Sequence, residues 1–83
     1  MIVSRSELIA RLEAYLAGQI SAATLASWAF DLFYELDQGL LAVNPEDGEV
    51  IADVLDTLIF ADDERFALDE ADLRRLIARL QQP

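Results

Sequence analysis

Apolar residues recur along this chain at helical spacing in four separate stretches. The first places Leu8, Ile9, Leu12, Tyr15 and Leu16 on one face. Ser4 and Glu7 precede it as an S-x-x-E capping box, and Gly18 follows where a helix terminator belongs. These signals predict a helix from about Arg5 to Ala17. Ser21 is the next N-cap, and a second helix should run from about Ala22 to Gln38, stopped by Gly39. Its apolar arc holds Ala22, Leu25, Ala29, Leu32, Phe33 and Leu36, widened by Ala26 and Phe30 on one side and Trp28 on the other. One neighbour cannot cover so broad an arc, so this helix is either central or partly turned toward a partner.

A short apolar connection, Leu40 to Val43, leads to Asn44-Pro45, which reads as an N-cap followed by a first-turn proline. Glu46, Asp47 and Glu49 would fill that first turn, where carboxylates favour the helix dipole. Val50, Ile51, Val54, Leu55, Leu58 and Ile59 then recur as apolar pairs, predicting a helix from about Pro45 to Ala61, with Gly48 a weak point. After a polar connection anchored by Phe66 and Leu68, Asp69 and Asp72 start a last helix, from about Glu70 to Gln81. Leu73, Leu76, Ile77 and Leu80 form its apolar stripe, and Arg74, Arg75 and Arg79 lie toward the favourable C-terminal end of its dipole. Four amphipathic helices with short connections predict a single domain over residues 1–83, an all-α, compact antiparallel four-helix bundle.

Composition adds a charge. Sixteen Asp and Glu face six Arg, with no Lys and no His, for a formal charge of −10. Because 54% of the residues are apolar, the chain is not a disordered acidic tail. Such a surface repels nucleic acid and anionic lipid and attracts basic proteins, while taken alone the acidity more readily serves only to keep a small apolar-rich domain soluble. No apolar run approaches the roughly 20 residues needed to span a bilayer. The start, Met1-Ile2-Val3-Ser4-Arg5, lacks the pattern of a secretory signal, so the expected location is the cytoplasm.

The chemistry available is narrow. Without His, Cys or Lys, the usual general bases and activated nucleophiles are missing. Ser4, Ser6, Ser21 and Ser27 sit at helix starts or on a polar helix face with no base to activate them. A catalytic carboxylate pair would need a pocket, which a bundle of this size rarely encloses. The chain is therefore expected not to be an enzyme and to need no cofactor. Neither Asp62-Asp63-Glu64-Arg65-Phe66-Ala67 nor Asn44-Pro45-Glu46-Asp47-Gly48 has the alternation of a calcium loop, so no metal is expected. Ser21 lies between Ile20 and Ala22, which is not the D-S-L motif of a phosphopantetheine carrier.

Two polar faces are candidates for partner binding. On the third helix, Glu46, Glu49, Asp53 and Asp56 should fall within about 80° of one another at 100° per residue. No basic residue of that helix offsets them, although an arginine could cross from the fourth. Such a stripe is either a solvated face or a docking surface for a basic protein. On the second helix, Thr24, Ser27, Asp31, Glu35 and Gln38 form a polar face flanked by Trp28 and Tyr34. Acidic groups beside amphipathic aromatics are a common interface composition, while each aromatic alone could equally be a rim residue of the core. Asp37, Asp62, Asp63 and Glu64 enlarge the acidic surface.

The segment from Leu8 through Tyr15, Leu16, Gly18, Ile20 and Ser21 to Ala22 resembles the opening of colicin D-type immunity proteins, an apolar helix followed at once by a second. Val50 to Leu80 is similar too, with an apolar helix, an acidic connection, an Asp-initiated turn and a final helix with Leu-Arg spacing. The chain departs from that family in its short loop after the second helix and in the basic residues the family can carry there. The resemblance implies a protein that binds a tRNA-cleaving toxin domain and blocks its basic substrate cleft, with acidic groups standing in for phosphates. The Tyr-Tyr-Pro signature of the immunity proteins against DNase colicins is absent. Under this reading Trp28, Asp31, Tyr34, Glu35, Glu46, Glu49, Asp53 and Asp56 contact a basic partner, and the chain is a monomer or weak homodimer. The alternative is a structural or adaptor module that self-associates through the second helix.

Overall fold

A computed structural model describes residues 3–40, 42–63, 65 and 68–82. Four helices follow one another: α1 (Arg5–Leu16), α2 (Ala22–Asp37), α3 (Gly48–Leu58) and α4 (Glu70–Gln81). Capping chemistry fixes most of their ends. The Ser4 hydroxyl accepts from the Glu7 amide at 3.3 Å, although the Glu7 side chain does not return the bond, so the expected box is half formed. Ser21 caps α2 through the Thr24 amide at 3.1 Å. At α4 the box is complete, with Asp69 accepting from the Asp72 amide at 2.8 Å and Asp72 accepting from the Asp69 amide at 3.3 Å.

Both α1 and α2 end in Schellman turns. The amides of Gly18 and Gln19 reach back to the carbonyls of Tyr15 and Ala14 at 3.0 and 2.9 Å. Those of Gly39 and Leu40 reach Leu36 and Glu35 at 3.2 and 2.8 Å. Each turn needs one left-handed residue, supplied by Gly18 at φ 77° and Gly39 at φ 74°. A Cβ on Gly39 would meet nothing within 4 Å, so a side chain there adds backbone strain without a clash. Gly39→Ala should therefore cost about 1–2 kcal/mol in urea unfolding with unchanged far-UV circular dichroism. A variant as stable as the parent would show that this turn does not hold its left-handed residue in solution.

The third helix is shorter than its sequence pattern predicts. Asn44 does not cap it, and Pro45 does not begin it. Instead the Asp47 amide bonds the Asn44 carbonyl at 2.9 Å, closing a turn with Asn first and Pro second. Asp47 occupies the N-cap position without a side-chain capping bond. Its carboxylate is taken by Arg5, whose Nε donates to it at 2.6 Å. At the other end, the amides of Phe60, Ala61 and Asp63 reach back only three residues, to Thr57, Leu58 and Phe60. The helix has tightened into successive turns before Ala61.

Main contacts run α1 to α2, α2 to α3, α3 to α4 and α4 back to α1, with the α2–α3 and α1–α4 pairings the most extensive. This is the expected all-α antiparallel four-helix bundle. Its interior is Leu8 and Leu12 of α1, Leu25, Ala26, Ala29 and Leu32 of α2, Ile51, Val54, Leu55 and Leu58 of α3, and Leu73 and Leu80 of α4. Val3 and Ala61 join them from outside the helices. Every buried residue among those described is apolar. Val3 lies outside every helical pattern in the sequence, yet it is buried. Its amide donates to the Ala42 carbonyl at 3.0 Å, strapping the segment before α1 to the α2–α3 connection. Helix α2 is not central. Its broad arc serves α1 and α3, and what remains, including Phe30, is left in solvent.

Candidate partner-binding surface

The arginines decide where the acidic charge is felt. Arg5 pairs with Asp47, Arg65 with Asp63, Arg74 with Glu70, Arg75 with Asp72 and Arg79 with Asp53. Arg11 lies over the Trp28 ring, with Cζ 4.8 Å from the centroid. All six basic side chains are thus engaged within the molecule. Among the described residues, Glu7, Glu13, Asp31, Glu35, Asp37, Glu46, Glu49, Asp56, Asp62 and Asp69 take part in none of these ion pairs, and five of these ten lie on α2 and α3. Asp63 has its carboxyl held below the ordinary carboxylate range, first by the backbone amide of Arg65 and then by its side chain.

The division between helices is uneven. Helices α2 and α3 carry six carboxylates (Asp31, Glu35, Asp37, Glu49, Asp53 and Asp56) and no arginine. Helices α1 and α4 carry four carboxylates and five arginines. Since α2 packs on α3 and α1 on α4, the net negative charge of the helices lies on one pair, and the connections carry the remaining six carboxylates.

The predicted stripe on α3 survives in part. Glu49, Asp53 and Asp56 are exposed and fall within about 60° on the helix. Asp53 is not unpaired, because Arg79 crosses from α4 and bonds its carboxylate at 2.8 Å. Glu46 is exposed in the turn before α3, so helical spacing does not align it with the other three. Asp56 also stands on the rim of an open depression of about 590 Å³ between α3 and α4, floored by Phe60, Leu68 and Leu76. The second carboxylate there, Asp72, is occupied by the α4 cap and by Arg75 at 2.9 Å.

On α2, Asp31 is exposed and Glu35 half-buried. Trp28 is half-buried against the core with Arg11 on its face, which makes it a rim residue shared between α1 and α2. Tyr34 lies on the opposite flank of the polar face and is 56% exposed. The two aromatics therefore differ: one is already covered, the other is open. Sequence periodicity missed Arg11 and Arg5, whose partners lie on other elements, and the crossing arginine that the sequence left open is Arg79. Glu64 and Phe66, expected as surface acid and anchor, lie outside the described residues.

Among the described residues, no cluster of three or more metal-ligating side chains occurs. No described helix is long and apolar enough to cross a membrane. No protein-family model, curated protein or solved structure matches the chain.

Proposed function

We propose that this chain is an immunity-type protein that binds a basic nuclease toxin domain, of the tRNA-cleaving kind, and occludes its substrate cleft. The observation that carries this reading is the concentration of unpaired carboxylates on the α2–α3 pair while every arginine is engaged within the molecule. A nuclease cleft is lined with Lys and Arg for phosphate, and a one-signed acidic face offers those groups the charge-assisted bonds they would make to nucleic acid. The chain supplies no catalytic step in this reading. It acts as a monomer in the cytoplasm, where the toxin meets its RNA. Asp31, Glu35, Glu46, Glu49 and Asp56 are the contacting carboxylates, with Tyr34 as the open aromatic.

The test is protection. Co-expression with a toxin domain encoded in the adjoining gene should restore growth of a sensitive host. Glu49→Arg with Asp56→Arg should abolish that rescue while the protein stays folded, because neither residue has an ion pair to lose and the first-turn position of Glu49 contributes at most about 1 kcal/mol. Asp53 is unsuitable for reversal, since an arginine there would face Arg79. Undiminished protection by the folded double variant would overturn the acidic-face mechanism.

A second reading has one observation in its favour. Phe30 and Tyr34 are 58% and 56% exposed on α2, a composition that also suits self-association.

A further inference from the structure

Four large apolar side chains stand in solvent among the described residues: Phe30 (58% exposed), Tyr34 (56%), Leu40 (70%) and Phe60 (45%). Three of them belong to one strip. Phe30 and Tyr34 are one helical turn apart and lie over one another on α2. Leu40 follows the left-handed Gly39 in the Schellman turn, with its amide bonded to the Glu35 carbonyl at 2.8 Å. That turn folds the residue after the glycine back over the last helical turn, where Tyr34 stands. The strip ends an arc that the fold leaves uncovered: Leu25, Ala29 and Leu32 are buried on the adjoining face, while Phe30 and Tyr34 face away.

Its charge surroundings are of one sign. Asp37 is three residues beyond Tyr34 and Asp31 three residues before it, so each lies beside the strip, on opposite sides. Neither makes an ion pair, and no arginine occurs on α2 or α3. These surroundings choose between occupants. A symmetric second copy would bring Asp31 and Asp37 of both chains together, with every arginine already engaged elsewhere. Like charges facing across an apolar contact oppose association. A segment that alternates apolar with Lys or Arg residues satisfies both the strip and its flanks.

We infer that Phe30, Tyr34 and Leu40 form the docking ridge for a basic amphipathic helix of a partner protein, whose apolar residues cover the ridge while its Lys or Arg side chains reach Asp31 and Asp37. This rests on the proposal that the partner is basic, and it adds an apolar centre on the flank of α2 to the acidic contacts proposed for α2 and α3. Aromatic residues at the centre of a contact dominate affinity, with charges at the rim setting rate and register.

The experiment is a titration of the isotope-labelled full chain followed by amide chemical shifts. The probe is a synthetic 18-residue peptide of Leu and Lys at amphipathic helical spacing. Two comparison peptides replace every Leu by Ser, or every Lys by Glu. The Leu-Lys peptide should shift amides around Phe30, Tyr34 and Leu40, and Phe30→Ser with Tyr34→Ser and Leu40→Ser should weaken it by about tenfold or more at an unchanged thermal midpoint. The Ser-Lys peptide should bind much more weakly, and the Leu-Glu peptide not at all. If the triple variant binds as tightly as the parent, or shifts centre on Glu49 and Asp56, the ridge is wrong while the basic-partner reading stands. If the Leu-Glu peptide binds as well as the Leu-Lys peptide, that broader reading fails with it. A parent dimer in sedimentation that the triple variant abolishes would assign the strip to a second copy and overturn the inference.

Discussion

Replacing Leu55 by alanine should lower the free energy of unfolding by about 2–5 kcal/mol, through lost burial and the cavity left behind. Leu55 is fully buried on α3, with Ile51 and Leu58 on the same face, also fully buried. Helix α3 packs on α2 and on α4, so its buried face joins both sides of the bundle. The loss is large against the total. A chain of 83 residues has a stability of about 4–12 kcal/mol, so this one substitution removes a major share. Urea unfolding followed by circular dichroism measures it. Leu40→Ala is the comparison, since that side chain is 70% exposed and its removal should change stability by no more than about 0.5 kcal/mol. Equal losses at the two positions would contradict the packing described for α3.

The second large effect is expected at Arg5. Its guanidinium ties three separate parts of the chain. Nε donates to Asp47 at 2.6 Å, while Nη1 donates to the Leu80 carbonyl at 3.4 Å and to the Gln82 carbonyl. The Arg5 and Asp47 side chains are only 23% and 16% exposed, so this pair is shielded from solvent far more than the α4 pairs Arg74–Glu70 and Arg75–Asp72. Arg5→Met keeps the apolar stem and removes every donor. It should cost about 1–3 kcal/mol, because it strands a partly buried carboxylate and frees two carbonyls at the end of α4. Arg74→Met, which breaks an open pair within one helix, should cost at most about 0.5 kcal/mol. A double-mutant cycle with Asp47→Asn isolates the pair. If the two substitutions add without coupling, the clasp contributes nothing beyond packing.

Legibility followed the range of the interaction concerned. The ends of α1, α2 and α4 are written in neighbouring residues: Ser4, Ser21 and Asp69 at the starts, Gly18 and Gly39 after two of the ends. Helix α3 begins later than its sequence pattern predicts because Asn44-Pro45 serves two local structures equally well, a helix start or a turn. The structure takes the turn, and Arg5, 42 residues away from Asp47, holds the carboxylate of the N-cap residue. The candidate surface divides in the same manner. Periodicity alone groups Glu49, Asp53 and Asp56, and it sets Asp31 and Glu35 between two aromatics. It could not show that Arg79 bonds Asp53 or that Arg11 covers Trp28, because each depends on a helix brought in by the fold.

The uneven sharing of charge between the two helix pairs has a consequence beyond attraction. A uniformly charged sphere pulls an approaching cation without preference for its orientation. Here the centre of negative charge is displaced from the centre of mass toward α2 and α3. The molecule therefore has an electric dipole as well as a net charge, and the field of an incoming basic protein exerts a torque on it. It is turned before it touches, over a distance of about 10 Å at moderate ionic strength. Added salt would shorten that reach and leave more encounters misaligned, even where the final contact is largely apolar.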